Sequence, residues 1–132
     1  MSTPHTILCV DDESHILHVV SLKLRNAGFH VLTAEDGEEG LAMALEHLPD
    51  LVITDYQMPF LTGIELCMQL KQNASTHATP AIMLTARGFS LPPDEVRQTN
   101  IVAVMNKPFS PRDVLAQVQQ LLDPTHATVE AP

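Results

Sequence analysis

The chain has 132 residues, enough for one domain with a sizeable core, and its 45% apolar and 17% charged residues exclude a disordered polymer. Asp and Glu outnumber Lys and Arg by 16 to 7, a formal net charge of −9. That argues against direct nucleic-acid binding, which needs clustered Lys and Arg for phosphate, and leaves basic partners or bound cations open.

Ile7-Leu8-Cys9-Val10 is an apolar run cut off by Asp11-Asp12-Glu13, a buried strand with acids at its exit. From about Glu13 to Ala27 the apolar residues Ile16, Val20, Leu24 and Ala27 fall at helical spacing, and Gly28 is a helix stop. Phe29 to Ala34 reads as the second strand. Asp36, with Glu39 three residues on, is a helix cap, and Leu41, Ala44, Leu45 and Leu48 give the next helix one apolar stripe, ended by Pro49. Leu51-Val52-Ile53-Thr54-Asp55 is the third strand, an apolar run that ends in a lone carboxylate before Tyr56-Gln57-Met58-Pro59.

Thr62 to about Asn73 forms a helix with Ile64, Cys67 and Leu70 inward, followed by a polar connector over 73–80. Ala81-Ile82-Met83-Leu84-Thr85 is the fourth strand, Pro92 to Thr99 a short helix, and Ile101-Val102-Ala103-Val104-Met105 the fifth strand. Ser110-Pro111-Arg112-Asp113 starts the last helix, whose stripe is Val114, Val118, Leu121 and Leu122. Five apolar strands alternating with five helical patterns predict an α/β domain with a parallel sheet covered on both faces. The domain spans residues 1–123, and 124–132 read as a tail or the start of a linker.

Cys9 and Cys67 lie in apolar surroundings without CxxC spacing and read as buried thiols of a reducing compartment. No basic and apolar leader opens the chain, and no apolar run reaches membrane-spanning length, so a cytoplasmic location without membrane contact is expected.

The polar residues that remain gather at strand exits: Asp11 and Asp12 after the first, Asp55 at the third, Thr85 at the fourth, Lys107-Pro108 after the fifth. In an open parallel sheet these exits share one edge, where ligands bind. Singly, each has a plain explanation as turn former, cap or solvated charge. Jointly, three carboxylates there repel unless a cation intervenes, and a hard divalent ion such as Mg²⁺ takes oxygen ligands of this kind. Thr85 adds a hydroxyl and Lys107 a positive charge, a set that could hold the oxygens of a phosphoryl group carried on a nucleophilic Asp55.

These residues, with Met58-Pro59 and Gly63 after the third strand, Ala86 after Thr85 and Phe109 after Pro108, resemble those of a response-regulator receiver domain over residues 6 to 122. The resemblance implies a doubly wound, flavodoxin-like sheet of order 2-1-3-4-5. It implies Asp55 as phosphoacceptor, Asp12, Asp55 and the Gln57 carbonyl as Mg²⁺ ligands, and Asp11 as the acid reaching the ion through water. It further implies Thr85 as the switch hydroxyl, Lys107 as the phosphate-pairing lysine and a commonly cis Lys107–Pro108 bond. The phosphoryl group would come from a histidine kinase or histidine phosphotransfer protein. Catalysis would be limited to self-phosphorylation and autodephosphorylation, and a downstream protein would read the result.

The chain departs from the family pattern in three places: Asn100-Ile101-Val102-Ala103 lacks the usual acidic-aromatic lead-in, Leu91-Pro92-Pro93 is unusual for the fourth helix region, and Val104 replaces an aromatic residue. Val104 stands where the family carries Tyr or Phe, so either the switch runs through other parts of the face formed by the fourth helix, fifth strand and fifth helix, or, as the alternative, the chain is a phosphate-relay or partner-binding receiver with little conformational output. Gln57 and Arg87 flank the pocket and are expected to alter the lifetime of the phosphorylated state. Gln57 also argues against a phosphohydrolase, which needs a second acid there. An acidic first loop argues against a flavodoxin-like phosphate cradle. His15 and His18 read as solvated, Val19 and Leu22 as a docking patch if exposed, and Phe60 and Phe109 as partly exposed.

Overall fold

The protein is described by a computed structural model covering residues 4–86 and 91–122. Its elements are β1 (Thr6–Val10), α1 (Ser14–Asn26), β2 (His30–Ala34), α2 (Gly37–His47), β3 (Leu51–Asp55), α3 (Gly63–Gln72), β4 (Ala81–Thr85), α4 (Pro93–Val96), β5 (Ile101–Asn106) and α5 (Pro111–Leu122). The sheet is wholly parallel, with the order β2-β1-β3-β4-β5.

Strand residues alternate between two cores. Ile7 and Cys9 of β1, Leu51 and Ile53 of β3 and Ile82 and Leu84 of β4 meet Leu17, Val20 and Leu24 of α1 and Val114 and Val118 of α5. Leu8, Val10, Val52, Ala81 and Met83 point the other way, onto Ala44 of α2 and Ile64, Leu66, Cys67 and Leu70 of α3. β3 and β4 are buried along their whole length, which is why both read as unbroken apolar runs. Burying each large aliphatic side chain contributes roughly 1.5–3 kcal/mol. Both cysteines are buried and reduced, and burial pushes their thiols up to about 12.

Helix starts follow the expected chemistry. Asp36 accepts from the Glu39 N–H, Thr62 and Glu65 complete a capping box, and Ser110 accepts from the Asp113 N–H.

Three inward faces differ from those predicted. In α1, Leu17 and Ser21 are buried beside the predicted Val20 and Leu24, Ile16 is partly buried, and Ala27, the C-cap beyond the last helical residue, is exposed. In α2, Leu45 and Leu48 are exposed and the packed face is Gly37, Gly40 and Ala44. Small residues let this helix approach the sheet so closely that a Cβ on Gly40 would lie 2.9 Å from Val10 Cγ2. The fifth strand is not covered on both faces. Ala103 and Met105 join the α1–α5 core, but Val102 and Val104 are 54% and 46% exposed, since β5 is an edge strand and α4 has only four residues.

The predicted short helix over 92–99 is thus shorter, with Pro92 as its cap and Pro93 in its first turn. Arg87 and the tail from 124 lie outside the described residues. No helix among the described residues is long and apolar enough to cross a membrane.

Candidate functional site: an acidic pocket at the carboxyl edge of the sheet

Asp55 is the last residue of β3, carried to the sheet edge by four buried residues and itself 5% exposed. The β1–β3 register pairs Val10 with Thr54, so the chain leaving β1 brings Asp11 alongside Asp55. Carboxylate oxygens of Asp11, Asp12 and Asp55 all lie within 4.8 Å of one another. β4 sets Leu84 opposite Asp55, with the buried Thr85 one residue further, and β5 sets Asn106 opposite Thr85. Lys107 follows; its N–H donates to the Thr85 carbonyl at 2.8 Å, and the Lys107–Pro108 peptide is cis.

The Lys107 Nζ lies 3.0 Å from Asp55 Oδ1 and 2.8 Å from Glu13 Oε1. Asp12, Glu13, Asp55, Gln57, Ala86 and Lys107 line one cavity of about 270 Å³. The sequence-predicted residues Asp11, Asp12, Asp55 and Lys107 are therefore brought together, and the exposed Gln57 shares their cavity. Thr85 stands at the same edge, but its hydroxyl turns to the Ala86 carbonyl at 3.5 Å. Glu13 is the residue that sequence reasoning missed; a third acid in a row was the only signal.

The loop after β3 is held from below. The Tyr56 N–H donates to the Leu84 carbonyl at 2.9 Å and the Gly63 N–H to the Tyr56 carbonyl at 2.8 Å. Thr54 Oγ1 donates to the Asp55 carbonyl at 2.9 Å, and Met58 is buried beneath. Phe60 stands out of this loop, 77% exposed at φ +73°, more exposed than expected, whereas Phe109 packs partly against the α1–α5 core. His15 and His18 are exposed. Beside the pocket, a groove of about 700 Å³ runs between α1 and the start of α5, lined chiefly by Ile16, Val19, Val20, Pro108 and Phe109, with Leu22 exposed nearby.

Charge is crowded here. Burial pushes the Asp11 carboxyl up to about 6, against the pull of the Glu13 N–H, which donates to its Oδ1 at 2.8 Å. Asp11 Oδ2 is buried without a hydrogen-bond partner. Burial also raises Asp55, and Lys107 opposes that rise. Burial alone would lower Lys107, but its bonds to Glu13 and Asp55 outweigh this and hold it at about 12. Among the described residues, four carboxylates thus face one ammonium. An orphaned buried carboxylate oxygen, an all-oxygen donor set and an excess of negative charge fit a hard divalent cation.

A family model described as "Response regulator receiver domain" matches residues 7–119. The chain is 42% identical over 118 residues to the alkaline phosphatase synthesis transcriptional regulatory protein PhoP of Bacillus subtilis, a match covering 88% of this chain and 48% of that protein. The chain spans about half the length of the curated relatives it matches. Among solved structures, the chemotaxis response regulator CheY4 of Vibrio cholerae superimposes with a TM-score of 0.79 at 33% identity, over 89% of this chain and 98% of that one. The receiver domain of the Pseudomonas aeruginosa sensor histidine kinase PA1611 has a TM-score of 0.79 at 23% identity, covering 89% and 97%. That likeness speaks to the fold alone; the structure carries magnesium in its active-site cleft.

Proposed function

The chain belongs to the response-regulator receiver domain family, the phospho-accepting module of two-component signalling, and from that premise we propose that Asp55 is the residue that takes the phosphoryl group. The observation that carries this reading is the nearly buried Asp55 carboxylate, held 3.0 Å from Lys107 Nζ beside two further carboxylates.

Asp12, Asp55 and the Gln57 carbonyl would hold Mg²⁺, with Asp11 reaching it through water. When bound, the ion supplies positive charge for the phosphoryl oxygens and relieves the repulsion among the carboxylates. Asp55 attacks the phosphorus of a phosphohistidine in line; an O–P bond forms, the N–P bond breaks and its electron pair returns to the imidazole nitrogen. Lys107 donates hydrogen bonds to the transferred oxygens, and Thr85 has only to turn its hydroxyl from the weak Ala86 contact to donate another. Water attacking the phosphorus later restores the carboxylate, so turnover is confined to the protein's own phosphoryl group.

The donor proposed is a histidine kinase or histidine phosphotransfer protein. Its helix would suit the apolar groove between α1 and α5, which opens beside Lys107. The acidic balance of the chain supports a protein, not nucleic acid, as the direct downstream partner.

Incubation with Mg²⁺ and acetyl phosphate, read by intact mass, tests the chemistry. One phosphoryl adduct is expected in the native chain and none in Asp55→Asn. No adduct in the native chain, or an undiminished adduct in Asp55→Asn, would refute the assignment.

A further inference from the structure

Glu13 sits at the N-cap of α1, in extended backbone at φ −93° and ψ 103°, yet its side chain makes no capping hydrogen bond. From that position a side-chain oxygen ordinarily accepts a first-turn N–H, as Asp36 and Thr62 do in α2 and α3. Here the carboxylate instead reaches a residue 94 positions along the chain, and pairs with Lys107 Nζ at 2.8 Å, closer than the lysine's 3.0 Å to Asp55. The pairing ties the loop before α1 to the loop before α5 across the mouth of the pocket, and both side chains line its cavity. An ammonium has three N–H donors, and two of them face carboxylates before any phosphoryl group arrives.

We propose that Glu13 is a positioning residue for phosphoryl acceptance: it holds Lys107 in a shared pairing and competes with the incoming phosphoryl oxygens for that ammonium. The inference rests on Asp55 and Lys107 forming the phosphoryl site proposed above. A phosphoryl dianion entering the pocket meets the Glu13 anion at its mouth and must draw Lys107 away from it. Neutralising Glu13 removes the competing anion and leaves the lysine undivided. Glu13 is more than half exposed, so solvent screens the pairing and the effect is modest, roughly two- to five-fold in apparent donor affinity.

The test uses the full chain with Mg²⁺ and a concentration series of acetyl phosphate, comparing the native protein, Glu13→Gln, Glu13→Asp and Asp55→Asn. Glu13→Gln is expected to lower the half-saturating donor concentration roughly two- to five-fold with little change in maximal rate. Glu13→Asp keeps the charge but is one methylene short of Lys107, so it is expected to shift the same way. An unchanged Glu13→Gln overturns the proposal. So does a Glu13→Asp that behaves as native while Glu13→Gln shifts, since charge at the mouth would then act without the lysine contact.

A double-mutant cycle of Glu13→Gln and Lys107→Met in urea judges the tether without any phosphorylation. Non-additive stabilities are expected, and additive ones overturn it. If the native chain takes no phosphoryl group, the functional reading fails, and this cycle still decides the tether.

Discussion

The strongest thermodynamic consequence of the pocket lies in Asp11. Burial is the main cause that lifts its carboxyl from 3.8 to about 6, and its Oδ2 has no partner. A folded-state value above the unfolded one means the native state binds the proton more tightly. The stability this gives is therefore full below about pH 4 and is lost as pH rises to about 6 and beyond. A shift of about two units corresponds to at most about 3 kcal/mol. Taken as an order of magnitude, the expected penalty at pH 7.5 is about 1–2 kcal/mol.

Asp11→Asn removes the charge and keeps an oxygen to accept the Glu13 N–H. In EDTA at pH 7.5 it should unfold at higher urea than the native chain, by about 1–2 kcal/mol, and the gap should close as the pH falls from about 6 to 4. With Mg²⁺ at ten times its dissociation constant, the native chain should gain about 1.4 kcal/mol and the variant much less, which narrows or reverses the order. A variant no more stable in EDTA at pH 7.5, or stabilised equally by Mg²⁺, would refute the reasoning.

Two further perturbations probe the loop after β3. A Cβ on Gly63 would lie 2.3 Å from the Asp55 carbonyl oxygen and 2.9 Å from Met83 Sδ, so Gly63→Ala must displace β3 or α3. A loss of at least about 2 kcal/mol in urea denaturation and a reduced adduct yield are expected, and native stability would show that the approach is looser than described. Phe60 holds φ +73° while 77% exposed, so Phe60→Asn, which tolerates that backbone with little contact to lose, should stabilise the chain by about 0.5–1 kcal/mol. A loss of stability would show that the ring packs against its surroundings.

β3 and β4 were legible to the residue, because a strand buried on both faces has no polar position until it leaves the core. β5 has the same apolar composition and a different environment. Hydropathy cannot tell an edge strand from a central one, and the shortness of α4, which bares Val102 and Val104, depends on the backbone and not on residue type. In α2 the pattern pointed to the large residues Leu45 and Leu48, but the close approach that only Gly37, Gly40 and Ala44 permit decides which face packs. Within the pocket, the carboxylates and Lys107 were legible because the fold class sends all strand exits to one edge. The Glu13–Lys107 pairing was not, since nothing local in the sequence marks a contact spanning 94 residues.

The exposure of Val104 bears on how the pocket connects to the rest of the molecule. The side chain stands on the open side of β5, with no ring that could move between buried and exposed positions. Two of the contacts that Lys107 makes lead out of the pocket. One is backbone: the Lys107 N–H on the Thr85 carbonyl, which ties the last loop to the end of β4. The other is the Glu13 tether, which ties the same lysine to the start of α1. If Asp55 accepts a phosphoryl group as proposed, drawing Lys107 toward it would act on both at once, and both end beside the groove between α1 and α5.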